Sequence, residues 1–190
     1  MILTISGASG AGKTTIARAL LEHIPNTRFV RSYTTRGPRP SDIPGEFTYL
    51  NKMMFDSMRA SNDFLWAADI GETSVGTRIE DVEKALKDAQ RTWIMVLVPE
   101  VIPKLYEHAK HIAKQDAIRS VYILAEADDV LRKRMVQRGD VDSQIEERLK
   151  SCHIFQKDAQ ASGIPYEWIR NDGTIQEAVG KVEGILKKGH

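Results

Sequence analysis

Residues 7–14 read Gly-Ala-Ser-Gly-Ala-Gly-Lys-Thr, and no other stretch constrains this chain as tightly. The octet fills every fixed position of the phosphate-loop pattern G-x-x-x-x-G-K-[S/T], whose glycines let the backbone curl until successive N–H groups face an anion. Gly7, Ala8, Ser9, Gly10, Ala11, Gly12, Lys13, Thr14 and Thr15 are therefore the candidate nucleotide-phosphate site. Lys13 is spaced to reach the β- and γ-phosphates of a nucleoside triphosphate, and the Thr14 hydroxyl to take one coordination position of Mg²⁺. Such a loop needs a buried strand before it and an amphipathic helix after it. Residues 1–6 supply a short β-rich run, and 15–24 set Ile16, Ala19, Leu20 and Ile24 at helical spacing ahead of Pro25.

Strand signals recur at 27–30, 93–98, 120–124 and 166–169 with helical patterns between them. That alternation predicts an α/β fold, a three-layer parallel sheet with helices on both faces. The chain has 190 residues, with 27 Lys and Arg against 26 Asp and Glu. One domain is the expected organisation, and so even a balance draws it toward neither nucleic acid nor an anionic membrane. No apolar run reaches transmembrane length, the N-terminus lacks a signal-peptide pattern, and a lone Cys152 leaves no internal disulfide. The expectation is a cytoplasmic protein, monomer or homodimer. His108 and His111, three apart on a predicted helix, have no third metal ligand at a sensible spacing.

Two further patches carry cations. In Ser32-Tyr33-Thr34-Thr35-Arg36-Gly37-Pro38-Arg39-Pro40, two arginines in a proline-stiffened loop can present planar donor forks to one anionic group. In Leu131-Arg132-Lys133-Arg134-Met135-Val136-Gln137-Arg138-Gly139, Arg134 and Arg138 share a helix face, Gly139 ends the helix, and Arg148 lies on the next one. This is the layout of a lid that brings positive charge onto a transferring phosphoryl group and excludes water. Arg132 and Lys133 read as solvated positions with Glu146 and Glu147 as partners.

Taken together, these residues resemble the guanylate kinases within the nucleoside monophosphate kinases. The family's phosphate loop is similar to Gly7 through Thr14, its Ser-x-[x]-Thr-Thr-Arg-x-Pro-Arg segment to Ser32 through Arg39, its lid motif to Leu131 through Gly139 with Arg148 downstream, and its late Asn-Asp to Asn171-Asp172. The resemblance implies a single P-loop domain with a core at 1–31 and 78–190, a small acceptor-binding insertion at about 32–77, and a helical lid at about 134–148. It implies ATP and Mg²⁺ held by the loop, with Asn171 near the adenine. Lys13, Arg134, Arg138 and Arg148 would act on the transferring group, and the acceptor would be bound by Ser32, Arg36, Arg39 and Tyr49.

The chain departs from the family where the acceptor's base is read. Phe64-Leu65-Trp66-Ala67 lacks the family's Glu, Ser74-Val75-Gly76-Thr77 stands where the family has Tyr-Tyr-Gly, and the strand at 94–98 has no carboxylate before Glu100. Asp69 and Glu72 are candidate replacements for the missing carboxylate. Three readings follow: a kinase for GMP or dGMP, a kinase of the same fold for ribose 1,5-bisphosphate, and a guanylate-kinase-like module that binds protein partners without catalysis.

Overall fold

The phosphate loop leaves the end of a strand in which every residue is buried, β1 (Ile2–Gly7). The computed structural model describes residues 1–40, 42–124, 127–137 and 139–187. After β1 the chain runs through α1 (Lys13–His23), β2 (Thr27–Phe29), β3 (Ser32–Thr34), β4 (Phe47–Tyr49), α2 (Lys52–Ala60), β5 (Phe64–Ile70), β6 (Thr73–Arg78) and α3 (Ile79–Lys87). It continues with β7 (Thr92–Val96), α4 (Ile102–His111), β8 (Ile118–Leu124), α5 (Asp128–Gln137), α6 (Asp142–Ala161), β9 (Tyr166–Arg170) and α7 (Ile175–Lys187). Among the described residues, no helix is long and apolar enough to cross a membrane.

Two sheets form. The larger has the order β2-β7-β1-β8-β9, with β2 parallel to β7 and β8 parallel to β9. β1 is central, and the loop after it opens at a carboxyl strand end, where open α/β sheets bind ligands. Two buried hydroxyls on β1 are satisfied, Thr4 Oγ1 donating to Ser120 Oγ and Ser6 Oγ to the Leu97 carbonyl, both at 2.8 Å. The smaller sheet, β4-β3-β6-β5, is mixed: β3 runs parallel to β4 and antiparallel to β6. The strands foreseen at 27–30, 93–98, 120–124 and 166–169 correspond to β2, β7, β8 and β9, and α1 begins at Lys13, directly from the loop. The four strands of the smaller sheet were not foreseen: β3 and β4, of three residues each, show no period, and β5, of seven, and β6, of six, lack a strict apolar–polar alternation.

The chain divides into two compact units, one of residues 1–2, 26–95 and 104–118, the other of 3–25, 96–103 and 119 onward. The first holds the smaller sheet and α2. Along β5 and β6, Ala67 pairs with Gly76 and Asp69 with Ser74, so these residues share the face that α2 covers. Phe55 of α2 is fully buried there, stacked on Phe64 at 4.6 Å between ring centroids. Met53 and Met54, beside Phe55 in sequence, are 78% and 50% exposed, because α2 turns a single apolar stripe inward. Phe55→Ala should lower the unfolding free energy by about 3–5 kcal/mol, read by urea denaturation. An unchanged midpoint would show that α2 is not anchored through this ring.

In the second unit α7 packs against α1. α5 ends as Gly139 was expected to end it: with φ 87°, Gly139 donates its N–H to Val136 O, and Asp140 N–H reaches back to Met135 O, the paired bonds of a glycine-terminated helix. Arg132 bonds Glu146 at 2.5 Å, as its solvated reading required. Of the tryptophans, Trp66 is 8% exposed and Trp168 39%. Trp168 lines a pocket with Tyr166, Pro165 and Ile164 rather than filling core.

Candidate active site

In the second unit the loop is built around its carbonyl oxygens. Lys13 Nζ donates to Gly7 O and Ala8 O at 2.8 and 2.7 Å. Arg134 Nη1 donates to Gly10 O at 3.2 Å. Asn171, 5% exposed, donates Nδ2 to Ala11 O at 2.9 Å. These bonds fix the path of the loop backbone, and the Ala11 N–H closes a turn on Ala8 O at 3.2 Å. The dipole of α1 places its positive end at this loop, which favours an anion there. Two glycines are sterically constrained here. Gly7 has φ 144° and a Cβ on it would lie 2.3 Å from Ile123 O, while Gly12, the left-handed N-cap of α1 at φ 95°, would set a Cβ 2.5 Å from Asn171 Nδ2. Thr14 and Thr15 are exposed at the start of α1.

Arg148 joins the same cluster, donating Nη1 to Asp140 Oδ2 at 3.0 Å and Ser9 Oγ at 3.4 Å. Lys13, Arg134 and Arg148 thus converge on one loop; Arg138 lies outside the described residues. Cys152, on α6, is 2% exposed, and burial raises its thiol above the ordinary value, which suits an inert packing group. His111 Nδ1 bonds Glu107 O at 2.8 Å and His108 lies 3.4 Å from Glu83. Neither belongs to this cluster.

In the first unit the candidate acceptor residues surround a carboxylate. Arg36 Nη1 donates to Asp42 Oδ2 and to Gly37 O, both at 2.8 Å, and Nη2 to Asp42 Oδ1 at 2.7 Å. Its guanidinium lies 4.5 Å above the Phe47 ring centroid. Asp42 Oδ2 also accepts from the Arg39 N–H at 2.8 Å and the Tyr49 hydroxyl at 2.6 Å. The Arg36 bonds, aided by Tyr49 and the Arg39 amide against the opposing effect of burial, hold the Asp42 carboxyl well below the usual carboxylate range. The same contact raises Tyr49 above the ordinary phenol value. Just before Arg36, Thr35 N–H donates to Ser74 O at 3.0 Å, and Thr35 Oγ1 accepts from Ser74 N–H at 2.8 Å, so the clamp loop springs from a pinned strand end. Ser32 opens β3, its N–H on Glu46 O at 2.8 Å. The Arg39 side chain is exposed.

Asp69 does not stand where a base reader for this clamp would. Arg59 engages both its oxygens, at 2.8 and 3.1 Å, and Ser74 Oγ donates to it at 2.6 Å. Phe47 and Tyr49 pair with Ser32 and Thr34, and Thr34 with Val75. Val75 and Ser74 alternate across the sheet, so Asp69 lies on the face opposite the clamp, and Glu72 sits exposed in the β5–β6 turn. Sequence reasoning missed Asp42, Phe47 and Asp140. Asp42 lies three residues beyond Arg39, and a carboxylate so near two candidate phosphate-binding arginines was the available signal.

A glycine-rich loop between a buried central strand and a helix, closed by a lysine and arginines on a parallel α/β sheet, defines a P-loop nucleotide-binding phosphotransferase. The chain belongs to the guanylate kinase family of nucleoside monophosphate kinases, whose family model, "Guanylate kinase", matches residues 1–189. It is 30% identical over 190 residues to a guanylate kinase of Bradyrhizobium diazoefficiens, spanning 98% of this chain and 82% of that one. To a guanylate kinase of Helicobacter pylori it is 34% identical over 156 residues, 80% of this chain and 71% of that one. The crystal structure of guanylate kinase from Anaplasma phagocytophilum shares the fold, with a TM-score of 0.72 at 21% identity, covering 99% of this chain and 85% of that one.

Proposed function

We infer that this chain transfers the γ-phosphoryl group of ATP to GMP or dGMP, giving ADP and the nucleoside diphosphate. The observation that carries this reading is the family match along the whole chain, joined to a loop whose lysine and lid arginines are all retained. Ribose 1,5-bisphosphate as acceptor and a non-catalytic binding module are not favoured: the relatives are guanylate kinases, and a module without catalysis has no need of Lys13, Arg134 and Arg148 together on the loop. The cytoplasm is the compartment this reading implies.

Gly7 to Thr15 hold the donor phosphates through backbone amides and Lys13. Asn171, bonded to Ala11 O, fixes the loop's shape on the nucleotide side. Thr14 offers a hard oxygen at an exposed helix start, which fits Mg²⁺; when bound, the ion neutralises charge on the β- and γ-phosphates. Arg36 and Arg39 hold the acceptor phosphate, with Ser32 toward its base and Tyr49 bracing the clamp through Asp42. We take 32–77 as the acceptor-binding insertion and the segment about 134–148 as the lid. An acceptor phosphate oxygen attacks the γ-phosphorus, the new P–O bond forms as the bond to the β–γ bridging oxygen breaks, and that oxygen leaves on ADP. The attacking oxygen is already anionic at neutral pH, so positioning and charge compensation carry the rate without a strong general base. Arg134, Arg138 and Arg148 stabilise the equatorial oxygens.

A coupled ADP-release assay with ATP–Mg²⁺ against GMP, dGMP, AMP, CMP, UMP and ribose 1,5-bisphosphate tests this. Turnover confined to GMP and dGMP is expected; selective use of the sugar phosphate, or no turnover at all, would reject it. Arg39→Ala removes an exposed, movable cation and should raise the acceptor KM about tenfold, the equivalent of about 1.4 kcal/mol, leaving the ATP KM unchanged.

A further inference from the structure

The geometry points to Asp42 as the residue that pre-sets the acceptor-phosphate clamp, by locking Arg36 so that one edge of its guanidinium stays open as a two-pronged fork. This rests on the reading of Arg36 as a holder of the acceptor phosphate. A guanidinium carries five N–H donors in a fixed plane. Asp42 takes one from each terminal nitrogen, and Gly37 O takes the second from Nη1. The two left over, on Nε and Nη2, lie side by side and match the spacing of two phosphate oxygens. Phe47 covers one face of the plane at 4.5 Å, and the arginine side chain is 15% exposed, so the group cannot swing. Asp42 is itself fixed: besides Arg36 it accepts from the Arg39 N–H and Tyr49 and is 12% exposed.

A carboxylate beside a phosphate site costs attraction, because it offsets the charge of Arg36. Its return is order: a fork held in one orientation loses no rotamer freedom when the phosphate arrives. The two effects have opposite signs, so removing the carboxylate charge decides between them. Asp42→Asn is suited to this, since an amide oxygen can still accept from the Arg39 N–H and hold the turn, while its NH₂ cannot accept from Arg36.

Two readouts apply. Inorganic phosphate is titrated into the protein while the Arg36 side-chain N–H signals are followed by NMR, assigned by Arg36→Lys; GMP kinetics are run alongside. In the wild type, the Arg36 Nη protons should give separate, slowly exchanging signals and the Nε–H should shift with phosphate. Averaged Nη signals, or no response to phosphate, would overturn the inference without any variant at position 42. Asp42→Asn should weaken phosphate binding and raise the GMP KM by about tenfold, with kcat and the ATP KM within about twofold. Asp42→Glu, keeping the charge, should recover most of the loss. Unchanged or tighter phosphate binding in Asp42→Asn would mean that Asp42 only competes for Arg36, and would sink the proposal. A wild type that answers phosphate at Arg36 yet never phosphorylates GMP would reject GMP as acceptor, and weaker phosphate binding in Asp42→Asn would still uphold the role of Asp42.

Discussion

Lys13→Ala is expected to lower kcat for GMP phosphorylation by about three orders of magnitude or more, with the protein still folded. The transition state gathers negative charge on the oxygens of the moving phosphoryl group, and one well-placed cation there contributes on the order of 4 kcal/mol, about a thousandfold in rate. The ammonium donates to Gly7 O and Ala8 O, so it is seated on the loop. Removing it deprives two carbonyls of a donor in a partly buried setting, a loss of about 1 kcal/mol in stability. Lys13→Arg should not restore the rate, because a planar fork cannot replace a point charge bonded to two adjacent carbonyls. The coupled assay and a thermal melt separate the two effects. A kcat within tenfold of wild type would remove Lys13 from the mechanism.

Gly7→Ala should destabilise most among the glycine substitutions, by about 3 kcal/mol or more. The new Cβ would sit 2.3 Å from Ile123 O at a backbone φ of 144°, so the substitution meets both a clash and an unfavourable conformation. The obstacle is main chain in β8, which is held by its parallel pairing with β9, Ile123 opposite Ile169. Gly12→Ala should cost less. Its obstacle is the Asn171 side chain at 2.5 Å, which can move by giving up its bond to Ala11 O. Gly180, within α7 and with open space around its Cβ position, provides the control: alanine there should stabilise by about 0.5–1 kcal/mol. Urea denaturation of the three variants gives the order directly, and a Gly7→Ala midpoint equal to wild type would contradict the close approach of β1 to β8.

One short motif and two patterns were legible because each is written in consecutive or regularly spaced residues. The octet from Gly7 to Thr14 encodes its own backbone path through glycine placement, and the helices show in their apolar spacing because each buries one face. The parallel sheet shows in the alternation of strand and helix signals. The clamp is different. Arg36 and Arg39 are visible as charges, but Asp42, Phe47 and Tyr49 become a support for Arg36 only once β3 and β4 pair in parallel, Ser32 against Phe47 and Thr34 against Tyr49. Strands of three residues carry no periodic signal, so that register is set by tertiary packing. Asp69 makes the same point from the other side: by composition it could read a base, yet its pairing with Ser74 turns it to the face under α2, where Arg59 claims it. Alone, then, the amino-acid order determined the backbone path of the glycine-rich loop, since that path is a property of consecutive residues. Tertiary structure alone decided which carboxylate orients an arginine and which is spent on a neighbour, because a side chain's partners depend on the sheet face it occupies.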